Sequence, residues 1–164
     1  LLNVVNILLA RKEIQINQGD KDGFIPLHVA SQNGHVKVVN VLLARKEIQI
    51  NQAQNDGATP LSMACMDGHV KVVNVLLERK EIQINQAMND GRTPLYVACH
   101  YGHVKVVKAL LAKKEIDINK PSGGWTPVAI ALHEGHTEIV ALLRQHESQW
   151  GAQQVVMNFL IKKK

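Results

Sequence analysis

Long hydrophobic runs are missing from this chain. No stretch approaches the roughly 18 to 20 uncharged apolar residues of a membrane-spanning helix, and no charged-then-apolar leader opens it. The missing leader says nothing about location, because the first residue is not Met and the chain starts inside a pattern; it reads as a fragment of a longer array. Aromatic residues make up only 4 %, yet 46 % of the residues are hydrophobic, which argues for packed rather than disordered protein. Cysteine is scarce too: Cys65 and Cys99 form no pair at zinc-finger spacing. There is no Gly-rich phosphate loop opening a helix and no Gly-x-Ser-x-Gly elbow. The chain therefore carries no signature of an enzyme, a cofactor or a metal.

What it does carry is self-similarity. The segments GFIPLHVASQNGHVKVVNVLLARKEIQIN (23 to 51), GATPLSMACMDGHVKVVNVLLERKEIQIN (57 to 85) and GRTPLYVACHYGHVKVVKALLAKKEIDIN (91 to 119) recur with a period of 34, and GWTPVAIALHEGHTEIVALLRQHE (124 to 147) follows after 33. Residues 1–17 match the second half of a unit. The division is thus a partial repeat over 1–19, repeats over 20–53, 54–87, 88–120 and 121–147, and an amphipathic closing helix over 148–164, where Ala152, Val155, Val156, Phe159 and Leu160 keep helical spacing. That helix is expected to cap the last unit.

Each unit parses physically. Thr59, Thr93 and Thr126 cap a helix whose first position is Pro60, Pro94 or Pro127, where a missing N–H costs nothing. Gly34, Gly68, Gly102 and Gly135 stop it. A second helix follows, with Val38, Val39, Leu42 and Leu43 on one face and Lys37 facing out. Ile48-Gln49-Ile50 then alternates in the manner of a strand and leads to a hairpin turn at Asn55-Asp56-Gly57. Helices this short do not survive alone, so the units must stack into an elongated all-α solenoid. Cys65 and Cys99 stand one stacking step apart, roughly 8 to 10 Å, beyond the roughly 7 Å a disulfide spans. They are expected to be free, buried thiols.

Leu27-His28-Val29-Ala30, Thr59-Pro60-Leu61 and Thr93-Pro94-Leu95, with Gly-His at 34–35, 68–69, 102–103 and 135–136, resemble the signature of ankyrin repeats over residues 1–147. The resemblance implies helix-turn-helix units joined by hairpin loops, an intracellular setting, and a concave inner face of hairpin tips and first helices that binds other proteins. Asn17, Asn51, Asn85 and Asn119 resemble hairpin asparagines that some members carry hydroxylated. Two departures stand out. Lys46-Glu47-Ile48 replaces the usual Gly-Ala after the second helix, which predicts a longer second helix and a displaced hairpin. Ile25 replaces the capping Thr, at an expected cost on the order of 1 kcal/mol.

Of the histidines, His35, His69, His103 and His136 belong to the repeat, and His28 to the first-helix signature. His133-Glu134-Gly135-His136 only superficially resembles a zinc motif, because its histidines are three apart and a glycine stop intervenes. The net charge of +5 comes mostly from Lys and Arg pairs at 11–12, 45–46, 79–80 and 113–114, from the ladder Lys37, Lys71 and Lys105, and from the three terminal lysines. That is a basic back rather than a basic groove, so nucleic acid stays the lesser alternative.

Framework repeats while the inner face varies. The residues that change at tips and first helices include Lys21, Asp22, Phe24, Asn33, Asp56, Met66, Asp67, Asp90, Arg92, His100, Tyr101, Trp125, His133 and Glu134, with Tyr96 on an inner helix. Lys21 and Arg92 oppose five carboxylates there, so the face is acidic against a basic molecule and suits a basic segment of a protein partner. Arg92, Tyr101 and Trp125 are the expected anchors, since such side chains bury much area at small entropic cost. Asp56 and Asp90 precede glycine and double as turn formers. Partner identity and oligomeric state are not encoded legibly. A targeting or regulatory region of a larger enzyme or channel is the other reading, with nucleic-acid binding by the outer ridge behind it.

Overall fold

A computed structural model describes residues 2–11 and 13–161, with side chains as far as Gln149. Its helices are α1 (Leu2–Leu9), α2 (Pro26–Gln32), α3 (Val36–Leu43), α4 (Pro60–Met66), α5 (Val70–Leu77), α6 (Pro94–His100), α7 (Val104–Leu111), α8 (Pro127–His133) and α9 (Thr137–Ile161). They form two layers. The inner helices α2, α4, α6 and α8 pack in series, the outer helices α1, α3, α5, α7 and α9 pack in a parallel series, and each inner helix packs on the outer helix that follows it.

The caps work as their residue types dictate. Thr59 Oγ1 accepts from the Ser62 N–H at 3.2 Å, Thr93 Oγ1 from Tyr96 N–H at 3.1 Å and Thr126 Oγ1 from Ala129 N–H at 3.3 Å. Ile25 has no oxygen to offer, but the first unit recovers the other half of a cap: the Ile25 N–H donates to His28 Nδ1 at 3.2 Å. With Nδ1 accepting, Nε2 carries the proton and donates to the Ala58 carbonyl of the next unit at 3.1 Å. The cost expected from Ile25 is thereby partly offset.

At the other end of each inner helix the chain must turn back within one residue, and only glycine takes the required φ without strain. Gly68 has φ +71°, and the next N–H, that of His69, bonds back to the Ala64 carbonyl at 2.9 Å. The same glycine makes room for a neighbour. A Cβ on Gly68 would lie 2.6 Å from Nδ1 of His103, whose Nε2 donates to the Met66 carbonyl at 2.7 Å. His69 sits likewise on Gly34 and bonds the Gln32 carbonyl at 2.8 Å, and His136 bonds the His100 carbonyl at 3.0 Å. The repeat histidines are staples between units.

Three expectations change. The outer helix is not lengthened: α3 ends at Leu43, and the additional residue goes into turns closed by Arg45 N–H to Leu42 carbonyl and Ile48 N–H to Arg45 carbonyl. Ile48-Gln49-Ile50 is not a strand either. Ile50 is buried and Ile48 half-buried, so both are anchors that draw the chain off the helix into the core, and no ladder forms among the described residues beyond one bridge between Ser122 and Trp125. The turn after it is present, with the Gly57 N–H donating to the Gln54 carbonyl at 2.9 Å. Finally, residues 148–161 are not a separate closing helix but the continuation of α9. At the positions of Ile48 and Ile50 the last unit has Gln149 and Gly151, so nothing apolar pulls the chain away and the helix runs on. Leu132 of the last unit is 59 % exposed, whereas Cys65 and Cys99 at its position are fully buried under the following unit. Side chains from 150 on, including the apolar set expected to cap, and residues 162–164 with their lysines lie outside the described ones.

A second ladder runs along the loops. Asn51 Nδ2 donates to the Glu81 carbonyl at 2.7 Å while its Oδ1 accepts from the Gln83 N–H at 2.9 Å; Asn17 does the same with Glu47 and Gln49, and Asn85 with Glu115 and Asp117. Both ends of each amide are thus engaged by the next unit. Cys65 and Cys99 are buried and unpaired. Burial raises both thiols, that of Cys99 to about 12.

Candidate functional site

The tips are built as firmly as the helices. Asn55 Nδ2 donates to the Lys21 carbonyl, Asn89 Nδ2 to the Asn55 carbonyl, and Ser122 Oγ to the Asp90 carbonyl, all within 3.0 Å. Asp56 Oδ1 accepts from the Ala58 N–H, and Asp90 Oδ1 from the Arg92 N–H, so both aspartates are turn formers. In the last unit the loop is one residue shorter. Gly123 and Gly124 have φ +56° and +84°, the two positive values of a tight type I′ turn, and this sets Trp125 opposite Ser122.

The frame holds the varying residues in register columns. At the C-caps of the inner helices stand Asn33, Asp67, Tyr101 and Glu134; one residue earlier stand Gln32, Met66, His100 and His133. Asn33 folds its amide back onto the Val29 carbonyl at 2.8 Å. Lys21, Asp22 and Asp67 are exposed, and Met66 is half-buried. Phe24 is half-buried, edge-on to the His28 ring at 6.0 Å, which makes it more framework than face.

Tyr96 is buried, unlike the open aromatics. It stands where the first unit has His28 and is only 6 % exposed. Burial pushes its phenol pKa up, Arg92 lowers it, and Asp90 and Glu134 raise it, so the hydroxyl is within electrostatic reach of all three. Arg92 is not a free anchor either: its Nε holds Asp90 Oδ2 at 2.6 Å. That pair cancels, leaving Asp22, Asp56, Asp67 and Glu134 against Lys21.

Two aromatics remain open, Tyr101 at 45 % and Trp125 at 44 % exposure. They are joined through side chains that sequence reasoning named but did not connect. The Tyr101 ring meets His100 edge-on at 4.7 Å, His100 Nδ1 lies 3.8 Å from Glu134 Oε1, that oxygen is 3.1 Å from His133 Nδ1, and the His133 ring meets Trp125 at 5.0 Å. The signal was in the register, since His100 with His133 and Tyr101 with Glu134 are equivalent positions. His136, committed to the His100 carbonyl, belongs to the frame.

The comparison with protein families decides what kind of frame this is. The family model described as ankyrin repeats (3 copies) matches residues 1–88, 42–122 and 83–154. The chain belongs to the ankyrin repeat family. A search of curated proteins found no match. Ankyrin repeats are generally protein-interaction modules and are typically non-catalytic. In an ankyrin stack the tips and inner helices are the usual contact surface, and here that surface carries the open aromatics and uncancelled carboxylates. One cleft of about 640 Å³ is lined by Ile14, Phe24, Pro26 and Val29 at the first unit, and one of about 290 Å³ by Leu132, Val140 and Arg144 at the last. No helix among the described residues is long and apolar enough to cross a membrane.

Proposed function

We propose that this chain is a non-enzymatic scaffold or adaptor module that binds a protein partner, through a basic segment of it, on the face formed by its hairpin tips and inner helices. The observation that carries the reading is the contrast between a frame in which His69, His103 and His136 and Asn17, Asn51 and Asn85 are committed between units and an inner face where Tyr101, Trp125, Asp67 and Glu134 stay open. Buried, unpaired thiols favour a reducing compartment, so the setting is intracellular. On this reading the chain supplies contacts rather than chemistry.

The outer ridge is the weaker candidate. Arg45 donates to the Leu9 carbonyl at 2.7 Å and pairs with Glu47, and Lys108 pairs with Glu138 at 2.8 Å, so part of the outer positive charge is spent within the fold. The test is affinity capture from source lysate with Asp67→Lys/Glu134→Lys set against Lys37→Glu/Lys71→Glu/Lys105→Glu. Recovery should collapse with the first set and survive the second; the reverse pattern, or equal recovery with both, overturns the assignment.

A further inference from the structure

Glu134 differs from every other carboxylate on the inner face. Asp90 has both oxygens occupied by Arg92, and Asp56 spends Oδ1 on its own turn. Asp22 and Asp67 are exposed. Glu134 is restrained without being satisfied: Oε1 is held 3.1 Å from His133 Nδ1, Oε2 accepts no hydrogen bond among the described residues, and the side chain is about one-third exposed.

The rings around it are placed for a flat cation. On one side stand His100 and Tyr101, whose ring also stacks on His103 at a centroid distance of 6.4 Å and is thereby fixed. On the other stand His133 and Trp125, fixed by the Gly123-Gly124 turn. The gap between His100 Nδ1 and Glu134 Oε1, 3.8 Å, is too long for a hydrogen bond. A guanidinium donating to Glu134 could also lie against the rings of this cluster, which an ammonium cannot do as well. Arg92, the arginine of this face, is already tied to Asp90.

We propose that Glu134, set between His100 and His133 with Tyr101 and Trp125 beyond them, is the seat for one arginine side chain of the partner's basic segment. The inference rests on the inner-face reading and adds the position and chemistry of its anchor.

The probes are acetyl-Gly-Arg-Gly-Arg-Gly-amide and its lysine counterpart, titrated into the labelled protein while the Trp125 indole N–H and the Tyr101 and Glu134 amides are followed by NMR. Saturable shifts should centre on these three residues, with the arginine peptide binding a few-fold tighter. Glu134→Gln should weaken it about tenfold, as loss of one charge-assisted pair. Trp125→Ala should erase the preference for arginine. Unchanged circular dichroism shows that both variants stay folded. Equal affinity in Glu134→Gln, shifts confined to Asp22 and Asp56, or no saturable shift at Trp125 overturns the inference. If the peptide binds elsewhere on the inner face, the anchor is wrong and the inner-face reading stands. If a captured partner survives charge reversal at Asp67 and Glu134, the inner-face reading itself falls.

Discussion

Replacing Asn51 by alanine removes two hydrogen bonds that cross from one unit to the next, one donated to the Glu81 carbonyl and one accepted from the Gln83 N–H. A typical intramolecular hydrogen bond contributes a net ~0.5–1.5 kcal/mol. Asn51 is half-buried, so water replaces part of the loss and the sum falls at about 1–2 kcal/mol. With a urea slope of roughly 2 kcal/mol per molar, the unfolding midpoint should drop by about 0.5–1 M. The chain supplies its own control. Asn119 occupies the same place in its unit, but its side chain makes no hydrogen bond among the described residues, so Asn119→Ala should shift the midpoint by no more than about 0.2 M. The assay is urea unfolding followed by circular dichroism at fixed pH. Equal destabilisation by the two substitutions would refute the ladder, because the loss would then come from the asparagine's own loop. A neutral Asn51→Ala would refute it as well.

Other consequences of the frame can be checked in the same way. Burial holds the pKa of His28 below its ordinary value of 6.5, while its bond to the Ala58 carbonyl acts the other way. The unfolded chain therefore takes up the proton first, so the stability His28 contributes is full above about pH 6.5 and is lost as pH falls below it. Unfolding midpoints at pH 7.5 and 5 should differ more for the wild type than for His28→Leu; identical differences would contradict the neutral, Nδ1-accepting ring. Gly68→Ala must force φ +71° on alanine and drive a methyl to 2.6 Å from the His103 ring, whereas Gly135→Ala meets nothing within 4 Å. Both should destabilise by about 1 kcal/mol for the backbone, with a further loss only at Gly68; matching melting temperatures would mean the histidine staple yields freely. Cys65 and Cys99 should resist a thiol reagent in the folded protein and react once it is unfolded in urea, and rapid labelling of the native chain would show that their burial is wrong.

The frame was legible because its determinants are local and repeated. Thr-Pro announces each inner helix, glycine its end, and the period itself says that no unit stands alone. What escaped depends on what a side chain meets after stacking. Ile48-Gln49-Ile50 alternates like a strand, but the alternation serves to bury two anchors beneath paired helices. The same anchors stop α3, and their replacement by Gln149 and Gly151 lets α9 continue. Of the face, the open aromatics Tyr101 and Trp125 and the acidic excess could be read from what fails to repeat. Tyr96 could not be separated from them, because an inner-helix position is open or filled according to the size of its neighbours. Nor could the sequence show that Arg92 is spent on Asp90, or that two histidines from successive units converge on Glu134.

The central claim is that the varying inner face, and not the repeating outer one, makes the contact. Hydrogen exchange on the chain with and without its captured partner tests it directly. New protection is expected at the hairpin tips and the C-terminal ends of α4, α6 and α8, strongest around Tyr101, Trp125 and Glu134, with the outer helices unchanged. Protection concentrated on α3, α5 and α7 along Lys37, Lys71 and Lys105 would contradict it.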